Sequence, residues 1–251
     1  MSKVLLITGG ASGIGAETAR RAARKGYKVA INYRTRDAQA MGVAADIAAQ
    51  DGEAIAVPGD MANEADIVRM FKETEKTFGP VTHLVNSAGI SRQMRVDEYD
   101  GKLLTQLFAT NVTGLMLCCR EAVKRMSTKH GGKGGAIVNV SSMAATLGGR
   151  QGSSAYAATK GAVDSFTKGF AREVAAEGIR VNSIRPGMVL SEMTEGRLKD
   201  PDFKSRIEAS IPMRRVGQTP EIADAILWLL SDEASFITGT HLLVDGGLSI
   251  F

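Results

Sequence analysis

Thr8-Gly9-Gly10-Ala11-Ser12-Gly13-Ile14-Gly15 joins the apolar run Val4-Leu5-Leu6-Ile7 to a segment, Gly13–Lys25, that reads as a helix closed by Gly26. A strand that ends in glycines and turns at once into a helix marks the ligand edge of an open α/β sheet. Ligands of such sheets bind outside the strand C-termini. The start of the helix offers unpaired N–H groups and a positive dipole end, which suit a pyrophosphate. Glycine lets the backbone approach that ligand without a Cβ in the way. A plain tight turn has the same composition, and on these residues alone that alternative stays open.

Strand-like and helix-like runs alternate over the rest of the chain. Lys28–Tyr33 reads as a strand, and Asp37–Gln50 as an alanine-rich helix with Asp37 as its cap. Ala54–Val57 is a short strand, and Asn63 caps a helix running to Phe78. Val81–Val85 is a strand, followed by one long helical stretch around Tyr99–Met126 and a strand at Ala136–Val140. Ser154–Glu177 is helical, Ile179–Ile184 a strand, Pro220–Leu230 a helix and Leu242–Val244 a last short strand. The strands read as buried on both faces, and each connection has room for a crossover helix. Those features require a parallel sheet with helices on both sides. No Pro/Ser-rich linker or repeat divides the chain, so the expectation is one doubly wound α/β domain, 1–251, of about seven strands.

Composition excludes several classes. Hydrophobic residues at 44% and charged residues at 23% are ordinary for a soluble globular protein. The apolar start is too short for a signal core, and no run approaches the ~18 residues of a membrane span, so a soluble cytoplasmic protein without membrane contact is expected. Cys118 and Cys119 are adjacent, which fits buried helix thiols in a reducing compartment. His83, His130 and His241 are scattered, so no metal site is expected. The net charge is +4, and the densest basic stretch, Arg20-Arg21 with Arg24-Lys25, reads as a solvated helix face. No aromatic-plus-basic segment accompanies it, and no nucleic-acid partner is expected.

Tyr156 is followed four residues later by Lys160, which on a helix puts both side chains on one face. Interconverting an alcohol and a carbonyl needs a group that passes the hydroxyl proton while hydride moves at carbon. Phenol has a reference pKa of about 10. An ammonium ~4 Å away contributes roughly 4 kcal/mol at an effective dielectric near 20, equivalent to about 3 pKa units. Desolvation opposes this, so a smaller net shift of the phenol toward working pH is expected. The strand Ile137–Val140 ends in Ser141-Ser142, where Ser142 is placed to hydrogen-bond the reacting oxygen and Ser141 is the alternative. At the end of the second strand, Asn32-Tyr33-Arg34-Thr35-Arg36-Asp37 presents arginines. A carboxylate there accepts from a ribose diol, whereas arginine pairs with a 2′-phosphate.

Thr8–Gly15, Asp60, Asn86-Ser87-Ala88-Gly89, Asn111, Ser141-Ser142, Tyr156–Lys160 and Pro186-Gly187 occur in an order that resembles the short-chain dehydrogenase/reductase family over nearly the whole chain. The resemblance implies a Rossmann-type fold and an alcohol/ketone oxidoreductase with Asn111, Ser142, Tyr156 and Lys160 as catalytic residues. In the family, the backbone carbonyl at the position of Asn111 holds a water linked to the lysine. The resemblance places the dinucleotide on Gly9, Ser12, Gly13, Ile14 and Gly15, with Asp60 and Met61 at the adenine. It places Asn86, Ala88 and Gly89 along the ribose, and Tyr156, Lys160, Pro186, Gly187, Val189 and Ser191 around the nicotinamide. Tyr33 stands where NAD-preferring members carry Asp, and Arg34 follows it, which implies NADP(H). Asp37 is the rival ribose contact, and Arg36 reads either as a second phosphate contact or as solvated. Two departures stand out: Ser87 replaces a common second Asn, and the loop Met143–Ser154 is one residue longer than usual, which keeps Ser141 open.

The substrate is expected between 90–97, 143–154 and 188–215. Met94, Met143, Leu147, Met188, Leu190 and Met193 there read either as an apolar, adaptable pocket or as core packing. Arg92, Arg95 and Arg150 read either as contacts for an anionic substrate or as solvated. The family includes 3-oxoacyl carrier-protein reductases and sugar dehydrogenases. Against the former, Glu177 stands where such members carry a basic residue. A non-catalytic dinucleotide sensor is the rival from another class. The resemblance also implies a homotetramer, with a dimer as the alternative.

Overall fold

The computed structural model describes residues 3–249. Alternation along the central strands decides the layering. In β1 (Lys3–Thr8), Val4 and Leu6 enter one core while Leu5 and Ile7 enter another. β2 (Tyr27–Tyr33), β3 (Ala54–Pro58), β4 (His83–Asn86), β5 (Gly135–Val140), β6 (Ile179–Pro186) and β9 (His241–Val244) complete one sheet, every pairing parallel. A parallel sheet apolar on both faces needs a layer of helices on each.

The first core lies under α1 (Gly13–Arg24), α2 (Asp37–Ala48) and α10 (Thr219–Leu230), which bring Ala19, Val43 and Ile226. The second lies under α3 (Glu64–Phe78), α5 (Gly114–Met126) and α7 (Ser154–Val174), which bring Phe71, Cys118 and Phe170. Both cysteines are free and buried.

The strand order is β3-β2-β1-β4-β5-β6-β9. The chain winds outward in both directions from β1, so β1 and β4 flank the point where the order reverses. Thr8 pairs with Asn86 there, which sets the glycine turn and the Asn86–Gly89 block side by side at the strands' carboxyl ends. The expected α/β architecture is present, with the seven-stranded parallel sheet. No helix among the described residues is long and apolar enough to cross a membrane.

The helical stretch expected around Tyr99–Met126 is present from Gly101: α4 (Gly101–Phe108) runs into α5 through a π-turn at Ala109–Thr113. Two local expectations are corrected. The region 188–215 is structured. β7 (Val189–Leu190) pairs with β8 (Gly217–Gln218), and between them lie α8 (Glu192–Leu198) and α9 (Pro201–Ser210). Asp37 does not cap α2; Arg36 is the boundary residue, and the Asp37 carboxylate accepts from the Tyr33 hydroxyl at 2.6 Å. A short helix, α6 (Ala144–Leu147), occupies the loop before α7.

Candidate active site

The glycine turn is folded against its neighbours as closely as backbone allows. A Cβ on Gly15 would lie 2.3 Å from the Gly9 carbonyl oxygen, and one on Gly9, whose φ is +65°, would lie 2.8 Å from Ala88 Cα. The Thr8 hydroxyl oxygen accepts from the N–H groups of Ser87 and Ala88, both at 3.1 Å. Asn32 pins the same turn. Its Oδ1 accepts from Gly9 N at 3.2 Å, and its Nδ2 donates to the Gly59 carbonyl at 3.1 Å. Asn32 was not singled out from the sequence, although one fully buried amide inside the apolar strand Val29–Ile31 was the available signal.

Ser12 precedes α1 in extended backbone and makes no side-chain cap, so the helix start is left for a ligand. At the end of β2, Arg34 lies 3.8 Å from Asp60, a long pairing between partly exposed groups. Arg36 donates to Ser12 Oγ at 2.8 Å and also pairs with Glu192 of α8. The Arg36 guanidinium therefore stands beside the glycine turn and that of Arg34 beside Asp60, while Asp37 is engaged by Tyr33. Met61 turns its side chain into the core against Cys118, 3.7 Å away, so only its main chain is left for an adenine. Val189 and Pro186 are buried, and Ser191 starts α8 close to Gly13. A cleft of about 640 Å³ opens between α1, α2 and α8 beside Ser12.

The candidate catalytic residues meet where β5 ends and α7 begins. Lys160 Nζ donates to the Val140 carbonyl at 2.8 Å and lies 5.6 Å from the centre of the Tyr156 ring. Ser141 is buried and donates to the Lys160 carbonyl, while Ser142 accepts from Ala144 N and lies close enough to the phenol to oppose the rise in its pKa. The two serines thus divide: Ser141 faces the helix backbone and Ser142 faces the tyrosine. Asn111, in the π-turn, clips Ile90 through both its N–H (2.8 Å) and carbonyl (2.9 Å), and donates to Thr159 Oγ1 at 3.1 Å. A Cβ on Gly89 would be in van der Waals contact with Asn111 Oδ1 at 3.4 Å and Lys160 Nζ at 3.7 Å, which sets the Gly89 backbone directly beside both side chains. Widening of the helix at a π-turn is characteristic of functional positions.

The expected lowering of the phenol is overturned. Burial pushes Tyr156 up to about 12, opposed by the Ser142 hydrogen bond, and burial pushes Lys160 down to about 8, opposed by Asp164. The ammonium sits under the ring and is spent on Val140, so desolvation outweighs its pull.

The family model described as Enoyl-(Acyl carrier protein) reductase matches residues 9–249. An uncharacterized oxidoreductase, YgfF of Escherichia coli (strain K12), is 45% identical over 97% of this chain and 99% of its own. A 3-oxoacyl-[acyl-carrier-protein] reductase of Mus musculus is 41% identical over 100% and 99%. The chain belongs to the short-chain dehydrogenase/reductase family. A solved gluconate 5-dehydrogenase from Burkholderia cenocepacia J2315, in complex with NADP and tartrate, superposes with a TM-score of 0.92 at 30% identity, covering 100% of this chain and 97% of the other.

The three expected walls do meet: Met94 N donates to the Gly152 carbonyl at 2.8 Å, and Arg150 lies over the Phe203 ring of α9 at 5.0 Å. Leu147, Leu190 and Met193 are exposed, and Met94, Met143 and Met188 are half-buried, so the core-packing alternative fails for all six. Arg95 is exposed and paired with Asp97 at 3.0 Å. Glu177 is buried, accepts from Ser127 Oγ and pairs with Lys129 at 2.6 Å, which holds its carboxyl below the usual range. Its charge is neutralised within the chain, so the argument that it repels an acidic carrier protein loses its premise.

Proposed function

We propose that this chain is an NADP(H)-dependent oxidoreductase that interconverts a secondary alcohol and a ketone or aldehyde, with Tyr156 as general acid and base. The observation that carries this reading is the convergence of Tyr156, Lys160 and Ser142 at the end of β5, beside Gly89. A bound nicotinamide supplies or accepts the hydride. In reduction, the Tyr156 hydroxyl donates its proton to the carbonyl oxygen as the carbon gains hydride, and Ser142 Oγ donates a hydrogen bond to the same oxygen. The Lys160 cation stabilises the phenolate that remains, and the Asn111 turn fixes Ile90 and Thr159 around it. Oxidation reverses each step. Arg34, with Arg36 beside Ser12, favours the 2′-phosphate of NADP(H). The gluconate 5-dehydrogenase solved with NADP is consistent with that preference.

NADPH oxidation against aldehydes, diketones, sugar-derived ketones and acyl thioesters tests the reading, followed by the reverse direction with NADP. Tyr156→Phe is expected to remove turnover while NADPH binding, followed by fluorescence, stays within about twofold. NADPH binding without turnover of any compound would make this a dinucleotide sensor. Arg34→Asp is expected to move preference toward NADH by tenfold or more, on the order of one lost charge-assisted contact. Undiminished NADPH preference in that variant would place the phosphate clamp elsewhere.

A second reading, reduction of a 3-oxoacyl group on a carrier protein, is favoured by the neutralised Glu177 and by the mouse relative. A carrier-bound acetoacetyl thioester turned over far better than the free thioester would select it. The exposed edge strand β9, with Leu243 and nearby Trp228 partly uncovered, fits the proposed homotetramer, which light scattering would test.

A further inference from the structure

Arg150 stands at the one place where the three substrate walls meet. It lies in the turn that leads into α7, a short way before Tyr156, and its loop is tied to Met94 through Gly152. Its guanidinium lies over the Phe203 ring of α9, 5.0 Å from the centre. One terminal nitrogen, Nη1, is buried and has no hydrogen-bond partner among the described residues. Burial, and then the charge of Arg197 on α8, both disfavour its cationic form.

Several acids of the adjoining helices are occupied elsewhere. On α8, Glu192 is held by Arg36 and Glu195 by Lys199 at 3.2 Å. Asp200 caps the start of α9, and Glu208 lies with Lys204. A buried guanidinium N–H without a partner is an arrangement that folding disfavours unless a ligand completes it. Stacking on Phe203 fixes the plane of the group and leaves its edge donors in the forked geometry that carboxylates and phosphates accept. Arg95 is neutralised by Asp97, and Arg92 is exposed, so neither offers the same arrangement.

We propose that Arg150 receives an anionic group, carboxylate or phosphate, on the non-reacting end of the substrate, with Arg197 as a second cation at the rim. This rests on the reading that a carbonyl is reduced at Tyr156. The substrate class is then a small oxo acid or oxo phosphate, and the corresponding hydroxy compound in the reverse direction.

The test compares NADPH-dependent reduction of 3-oxobutanoate, 4-oxopentanoate and 5-oxohexanoate with their methyl esters, and of dihydroxyacetone phosphate with dihydroxyacetone. At least one anion is expected to exceed its neutral partner by roughly 100-fold in kcat/KM, the scale of a charge-assisted forked contact. The acid and phosphate arms tell which anion is recognised. Arg150→Gln is expected to erase the ratio, chiefly through KM, while reduction of the neutral partner and NADPH affinity stay unchanged. Arg150→Leu is expected to leave the melting temperature unchanged or raised, since it removes an unpaired charge.

Neutral compounds reduced as well as anions by the unaltered enzyme, or a preference that survives Arg150→Gln, would overturn the assignment. A marked fall in melting temperature for Arg150→Leu with the preference intact would make Arg150 a structural prop. Should none of the compounds turn over, the catalytic reading is what fails. The anion site then stands or falls on thermal stabilisation of the NADP-saturated protein by millimolar 4-oxopentanoate or inorganic phosphate, present in the unaltered chain and absent in Arg150→Gln.

Discussion

With the Tyr156 phenol pushed up to about 12 and the Lys160 ammonium down to about 8, the pair enters neutral solution as a neutral acid above a cation. That state is ready for reduction, because the phenol has a proton to give and the cation stabilises the phenolate left behind. As pH rises through about 8, Lys160 loses its proton and the phenolate loses its support. The rate constant kcat/KM for carbonyl reduction is therefore expected to be level below pH 8 and to fall above it. Initial rates between about pH 6 and 10 check this. A level profile through pH 10 would mean that Lys160 does not titrate where its burial puts it. Asp164, a turn further along α7, opposes the effect of burial on Lys160, so Asp164→Asn is expected to move the falling limb to lower pH.

At the scale of elements, α7 is fastened at several levels. The Tyr99 hydroxyl accepts from Ala155 N at 3.1 Å and lies 2.6 Å from Ser154 Oγ, capping the start of the helix. Thr167 accepts from Asn139 of β5 at 2.9 Å. Asp164 accepts from Arg185 at 2.8 Å and from Ser183 at 3.2 Å, both on β6. Asp164→Ala leaves the largely buried Arg185 without its partner, which is expected to lower stability by about 3 kcal/mol in chemical denaturation. A loss below 1 kcal/mol would show that water replaces the carboxylate there.

These fastenings also show what sequence could and could not reveal. The strand-turn-helix at Thr8–Gly15 and the Tyr156–Lys160 spacing were legible because each is a local pattern with one geometric outcome. The π-turn at Ala109–Thr113 was not, since one wide turn inside a continuous helix shifts the apolar pattern by only a single residue. β7 and β8 are two residues each and pair across the intervening α8 and α9, too short for any periodicity. The direction of the Tyr156 shift depended on burial, which no spacing rule contains.

For the whole molecule, the same burial makes the reactive centre a weak point in the balance of the two cores. Lys160 stands on α7, one of the helices over the second core, and is itself buried. Its drop from the ordinary 10.5 to about 8 means that at pH 7 the folded state carries a burdened charge that the unfolded chain hydrates freely. That burden is about 3 kcal/mol by the pKa difference. Lys160→Met keeps the volume and removes the charge, at the loss of the hydrogen bond to Val140, about 1 kcal/mol. The variant is expected to be inactive and to melt roughly 5 °C higher at pH 7. The advantage should shrink with pH. Between about 8 and 10.5 the unfolded chain holds more protons on this residue than the folded one, so the unaltered protein gains stability as pH rises. Melts at pH 7 and 9.5 separate the cases: a gap that stays constant, or a variant that melts lower at both, would mean that Lys160 is well solvated or structurally required.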